Sequence, residues 1–241
     1  MKSTLRIFQQ YLFVSLLGII CATSYALAGG LQISPVTLTL QGTKNAEGVW
    51  LSNEGNEVLS AQVRVYHWTQ SGYSDKLTPS QGLVISPPML TLEPGQKQLV
   101  RVIRTGSTAG NLEDAWRLSI DELPPTTRQV NKLKFVMKYS MPVFVQPAGL
   151  KDAAPKLQWN LVQAGGKTFL EAHNNGNSHA QLSQVTFINP RGIRKVITPG
   201  LLGYVLPDST MRWIISSSTK DVYQSGKIEL MINGQKTIQD L

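Results

Sequence analysis

The pattern with the most chemistry in it is a row of large apolar side chains at every second position: Leu133, Phe135, Met137, Tyr139 and Met141. Between them lie Lys132, Lys134, Val136, Lys138 and Ser140. Successive side chains of a strand point to opposite sides, so the spacing predicts a β-strand over about residues 131–145 with one apolar and one largely cationic face. The chemistry open to such a strand is non-covalent: main-chain hydrogen bonds along one edge and apolar insertion from one face. A strand with neighbours on both sides rarely carries three lysines so close together, whereas lysine at a sheet edge discourages unwanted pairing. An edge strand that presents this row is either an aggregation hazard or a docking surface.

Covalent and metal chemistry find little support. His67, His173 and His179 are the only histidines. His173 and His179 bracket an Asn-Gly turn and could face each other, but no third ligand is apparent, so neither a metal nor a cofactor is expected. There is no Gly-x-Ser-x-Gly elbow and no phosphate-binding glycine loop. The carboxylates are few; Asp114 and Asp121 have no obvious partner, and solvation is their simplest reading. No enzyme is expected. The formal charge is +8 over 241 residues. The positive residues are scattered, with no basic run interleaved with aromatics, so a nucleic-acid partner is not expected either. An acidic protein partner or a terminal carboxylate accounts for the charge as well.

The elements that must position the row begin after a leader. Lys2 and Arg6, an apolar run from Tyr11 to Ala22, and Ala26-Leu27-Ala28 have the order of a secretory signal peptide, residues 1–28. The run is well short of the roughly 20 residues needed to span a bilayer, so export without membrane insertion is expected. The single cysteine, Cys21, lies in this leader. An exported chain without disulfides must rely on an ordinary core. Beyond Gly30, short runs rich in Val, Ile, Thr, Leu and Trp alternate with Gly, Asn, Pro and Ser clusters, which predicts an all-β sandwich architecture. Asn53-Glu-Gly-Asn56 before Ser60–Val63 is echoed by Asn174-Asn-Gly-Asn177 before Gln181–Val185, and Leu92-Glu-Pro-Gly95 by Leu206-Pro-Asp-Ser209. The echo suggests two related sandwiches in tandem, residues 29–147 and 155–241, joined across Pro147–Pro155. Trp50, Trp68 and Trp116 read as core residues, and Glu122, Pro124 and Pro125 as a strand end and turn.

Three blocks carry a resemblance. One is Ser86-Pro-Pro-Met-Leu-Thr-Leu-Glu-Pro-Gly95 continued by Gln96–Val102; the second is Trp116–Ile120 leading into Asp121-Glu-Leu-Pro-Pro125; the third is the long strand ending Pro142-Val-Phe-Val-Gln-Pro147. In order and spacing they resemble the periplasmic chaperones of chaperone–usher pilus assembly. Ile33-Ser-Pro-Val36, Gln62-Val-Arg64 and Trp68 are most similar to the archaic, spore-coat-U-associated branch. The resemblance is strong over 31–147 and weak over 150–241.

It implies two tandem immunoglobulin-like β-sandwich domains set at an angle. It also implies an ATP-independent periplasmic chaperone with two partners: pilus subunits and an outer-membrane usher. A subunit lacking its last strand would accept the chaperone's edge strand, with Leu133, Phe135, Met137, Tyr139 and Met141 filling its groove. Five such burials amount to on the order of 10 kcal/mol before association costs. The family's usual carboxylate anchors, an arginine in the first strand and a lysine in the last, fall at Thr37 and Pro142. The anchor must then be absent or come from other cations, with Arg64, Arg101, Arg104 and Lys138 as candidates, each otherwise a solvated strand-face charge. The segment Thr126–Asn131 places the chain in the family's short-loop class. A structural or adhesive β-sandwich component of a surface pilus is the alternative; it is disfavoured because Gly29-Gly-Leu-Gln-Ile enters the first strand at once.

Overall fold

The computed structural model describes residues 30–106, 110–124, 135–150, 152–216 and 225–241. The leader 1–28, the short loop 126–131 and Leu133 lie outside them. The described residues form strands and turns, with no helix.

The first ten strands are β1 (Leu31–Ser34), β2 (Leu38–Leu40), β3 (Ala46–Asn53), β4 (Leu59–Ser71), β5 (Ser74–Pro79), β6 (Leu83–Ser86), β7 (Met89–Leu92), β8 (Lys97–Arg104), β9 (Asp114–Leu123) and β10 (Lys138–Val145). They build two facing sheets. One has the order β1-β3-β8-β6; the other runs β2-β10-β9-β4-β5, with β7 also on β4. Alternation makes the core: Leu59, Ala61 and Val63 of β4, Leu118 and Ile120 of β9, and Val100 and Val102 of β8 are buried between the sheets. The chain crosses between layers early, since β1 pairs antiparallel with β3 whereas β2 lies parallel to β10.

The remaining strands are β11 (Leu157–Ala164), β12 (Lys167–Asn174), β13 (Ala180–Ile188), β14 (Arg194–Val205), β15 (Thr210–Ser216), β16 (Lys227–Ile232) and β17 (Gln235–Asp240). They form a second sandwich of sheets β11-β12-β15 and β14-β13-β16-β17, around Leu170, Leu182, Val185, Ile228 and Leu230.

The internal echo has a structural cause. Asn53 and Asn174 are both buried, and their side chains make matching bonds. Asn53 Nδ2 donates to the carbonyls of Glu57 and Leu92, at 2.8 and 3.0 Å, and Oδ1 accepts from Gly55 N. Asn174 Nδ2 donates to the carbonyls of Ser178 and Val205, at 2.8 and 3.1 Å, and Oδ1 accepts from Gly176 N and Lys156 N. The Asn53 carbonyl accepts from Gly95 N and the Asn174 carbonyl from Asp208 N. Leu92 and Gly95 therefore correspond to Val205 and Asp208, one residue earlier than the sequence echo pairs them. Gly95 and Asp208 both have positive φ, at 75° and 55°. In each sandwich one buried amide satisfies backbone groups of two turns at once, which fixes an Asn at that place.

The sandwiches meet through Trp68, Ala115, Phe144, Tyr204 and Leu206. The His179 ring stacks on Phe144 at 3.5 Å. The Gln70 side-chain amide donates to the Tyr204 carbonyl and accepts from Leu206 N. Trp68 and Trp116 are buried as expected. Trp50 is not a core residue: it sits at an outward-facing position of β3 and is 50% exposed.

Candidate partner-binding strand

β10 pairs with β9 along its whole length, from Lys138 opposite Asp121 to Val145 opposite Asp114. Its other edge is covered by β2 only at Val143–Val145. Over Lys138–Pro142 that edge has no strand partner among the described residues, and Pro142 brings no N–H to it. Pairing with β9 continues one step further back: Glu122 N donates to the Met137 carbonyl at 2.9 Å, and Met137 N donates to Glu122 Oε2 at 3.3 Å.

The odd-numbered residues form a gradient rather than five equivalent side chains. Val145, Val143 and Met141 are core residues, Met141 being 3% exposed. Tyr139 packs partly buried against the core, and its hydroxyl donates to the Leu31 carbonyl at 2.7 Å. Met137 is 47% exposed and Phe135 78%. The expectation that Met141 and Tyr139 are free to enter a partner is therefore revised. Met141 fills its own sandwich and Tyr139 is tied to its own β1. Alternation is the same for a strand inside a core and for one running out of it, so periodicity alone cannot locate the rim. Phe135 and Met137 are the described part of the row left uncovered where the strand leaves the sandwich.

The even-numbered face carries the charge. Asp121, on β9, lies between Arg64 of β4, at 2.5 Å, and Lys138 of β10, at 3.5 Å. Burial works to raise the Asp121 pKa, but hydrogen bonds from Arg64 and Ser119 and the charges of Lys138 and Arg64 outweigh it and hold the carboxyl below its usual range. Of the four candidate anchors, the structure brings Arg64 and Lys138 together. Arg104 donates to the Gly42 carbonyl and Asn45 Oδ1, and Arg101 faces outward from the other sheet. Asp121 thus has two cationic partners, not solvent alone.

Arg117 was missed. It shares the face of Asp121, stands opposite Pro142 in register, and lies 3.7 Å over the Trp68 ring and 5.2 Å from the Tyr204 ring. Burial lowers its pKa, with Asp75, 3.9 Å away, and Tyr204 pulling the other way. The available signal was a lone arginine between Trp116 and Leu118, at an outward position of a strand whose alternate residues Trp116, Leu118 and Ile120 are apolar.

The histidines go to separate partners. His67 Nε2 meets Asp114 Oδ1 at 2.8 Å, His173 Nδ1 meets Thr210 Oγ1 at 2.9 Å, and His179 Nδ1 meets Glu113 Oε1 at 2.6 Å. His173 and His179 do not form the facing pair the sequence allowed, and Asp114 too has a partner. No group of three His, Cys, Asp or Glu placed to hold a metal occurs among the described residues.

Over residues 30–151 the chain matches the family described as pili and flagellar-assembly chaperone, PapD N-terminal domain. It belongs to this family. Among curated relatives it is similar to chaperone protein PmfD of Proteus mirabilis, 26% identical over 157 residues; that match spans 61% of this chain and 59% of PmfD. Chaperone protein PapD of Escherichia coli is 25% identical over 87 residues, 35% of this chain and 36% of PapD. Among solved structures it is similar to a chain in the complex of CsuC and CsuE, chaperone and tip adhesion subunit of the archaic chaperone–usher Csu pili of Acinetobacter baumannii. The identity is 27%, the TM-score 0.71, and 87% of this chain and 97% of that chain are covered. A chain in the complex of the Salmonella enterica SafA pilin with the SafB chaperone has the same fold, with 18% identity, a TM-score of 0.64 and coverage of 88% and 96%.

Proposed function

We propose that this protein is an ATP-independent periplasmic chaperone of an archaic chaperone–usher pathway. It binds pilus subunits by donating the strand at about 131–145 and delivers them to an outer-membrane usher. The observation that carries the reading is the exposed pair Phe135 and Met137 beside a strand edge that has no partner among the described residues. Strand addition uses both features: the bare edge supplies main-chain bonds and alternate side chains supply register. Leu133 continues the same alternation and is assigned the same role.

The division into domains 29–147 and 155–241 is part of this proposal, supported by the strand-free stretch between Val145 and Leu157. Export by a cleaved leader 1–28 places the protein in the periplasm. For the subunit carboxylate, the face of Arg64, Lys138 and Arg117 is the favoured anchor. A planar guanidinium matches a carboxylate, and Arg117 lies in the register position next to the family's missing lysine.

The test is co-expression with a subunit of the same pilus. Wild-type protein should co-purify with it from periplasm, and Phe135→Ala and Met137→Ala should recover less of it while remaining folded. Equal recovery of subunit by both variants would overturn strand donation.

A further inference from the structure

The exposed end of the apolar row carries a sulfur whose chemistry strand donation does not use. The chain has six methionines, and its single cysteine, Cys21, lies in the leader. Among the described residues two methionines are exposed, Met137 at 47% and Met89 at 58%. Met141, on the same strand face as Met137, is 3% exposed, and Met211 and Met231 are partly buried. Met137 is held by its backbone: its carbonyl accepts from Glu122 N at 2.9 Å, and its N–H donates to Glu122 Oε2 at 3.3 Å. Neither bond involves the sulfur, so a change at the thioether leaves the strand in place. Met89 is exposed away from the row. It lies on β7 opposite Gln62, with β4 and β9 between it and β10.

We propose that Met137 is a reversible oxidation site through which a peroxide turns off strand donation. The inference rests on the chaperone reading above. The sulfur lone pair attacks one peroxide oxygen, the O–O bond breaks and an S–O bond forms. The thioether is oxidised by two electrons to the sulfoxide, and hydrogen peroxide is reduced to water. The product replaces an apolar side chain by one with a strong hydrogen-bond acceptor. Seated in a subunit groove beside Phe135, that oxygen would be buried without a donor, which weakens the complex. A dithiol-dependent methionine sulfoxide reductase reverses the step: the oxygen leaves as water and the dithiol becomes a disulfide. Met141 is shielded by its own core, so the strand's attachment to its sandwich survives the oxidation that alters its tip.

The test treats the full mature chain with hydrogen peroxide, locates added oxygen by peptide mass spectrometry, and titrates a subunit of the same pilus before and after. Oxygen should appear at Met137 and Met89 but not at Met141. Subunit Kd should rise about tenfold or more with the melting temperature of the free chain unchanged, and reductase treatment should restore it. Met89→Leu should respond to peroxide as wild type does. Met137→Leu, whatever its starting Kd, should show the same Kd before and after peroxide. In a preformed complex Met137 should resist oxidation while Met89 does not. An unchanged Kd with Met137 fully converted to the sulfoxide, or a loss of binding in Met137→Leu as large as in wild type, would overturn the site. An untreated wild-type chain that bound no subunit would instead overturn the chaperone reading.

Discussion

Replacing Phe135 and Met141 by alanine, one at a time, separates a donated side chain from a core one on the same strand face. Phe135 is 78% exposed, so about a fifth of its surface is at stake in the free protein. With about 1.5–3 kcal/mol for burying a large apolar side chain in full, Phe135→Ala should cost roughly 0.5 kcal/mol of folding stability. Upon donation the remaining four-fifths is buried, so the complex should lose about 1–2 kcal/mol, or about tenfold in Kd, with any cavity left in the subunit adding to that. Met141 is 3% exposed and should show the reverse. Met141→Ala should destabilise the free protein by about 2–5 kcal/mol and leave subunit affinity per folded molecule nearly unchanged. The assay is urea denaturation of each free variant paired with titration of each against a subunit held soluble. A large stability loss in Phe135→Ala with unaltered affinity would refute the reasoning, because Phe135 would then be packed within its own domain.

Three further outcomes are expected. Tyr139→Phe should cost about 1 kcal/mol in denaturant unfolding, through loss of the bond to the Leu31 carbonyl; no change would mean the hydroxyl is equally well served by water. Asn174→Ala should lower stability by at least about 2 kcal/mol, since it leaves two buried carbonyls without their donor, and Asn53→Ala by at least about 1 kcal/mol, since it leaves the buried Leu92 carbonyl and the partly buried Glu57 carbonyl without theirs; calorimetry should show the loss in the first sandwich for Asn53→Ala and in the second for Asn174→Ala. Asp121 has a depressed folded-state pKa, so its contribution is present above its unfolded value and is lost as pH falls through the lower folded one. The stability difference between wild type and Asp121→Asn should therefore be full at neutral pH, vanish in strong acid and shrink with salt, the exposed partners Arg64 and Lys138 being screened; a difference that grew on acidification would contradict the ion pairs.

Fold class was legible because strand alternation and turn residues act locally. The runs around Ser60–Trp68, Gln98–Arg104 and Trp116–Ile120 became β4, β8 and β9. The echo of Asn53 and Asn174 was legible because a buried amide bonding to two turns tolerates few other side chains. What could not be read was where each sandwich stops. Met141 and Phe135 share face, spacing and polarity, and only the reach of the opposite sheet separates them. Trp50 was misplaced for a related reason: tryptophan in a strand usually faces a core, and nothing local to Val49–Leu51 says which sheet face is covered. Arg117 was passed over because its environment is made by Trp68 and Tyr204, both remote in sequence.

Hydrogen–deuterium exchange across residues 135–142, in the free protein and in the complex with a pilus subunit, tests strand donation most directly. The account predicts fast exchange in the free protein at those backbone amides of this segment not bonded to β9, and strong protection when the subunit is bound, because the bare edge then gains a strand partner. Protection confined to other strands, with this segment exchanging equally fast in the complex, would contradict it.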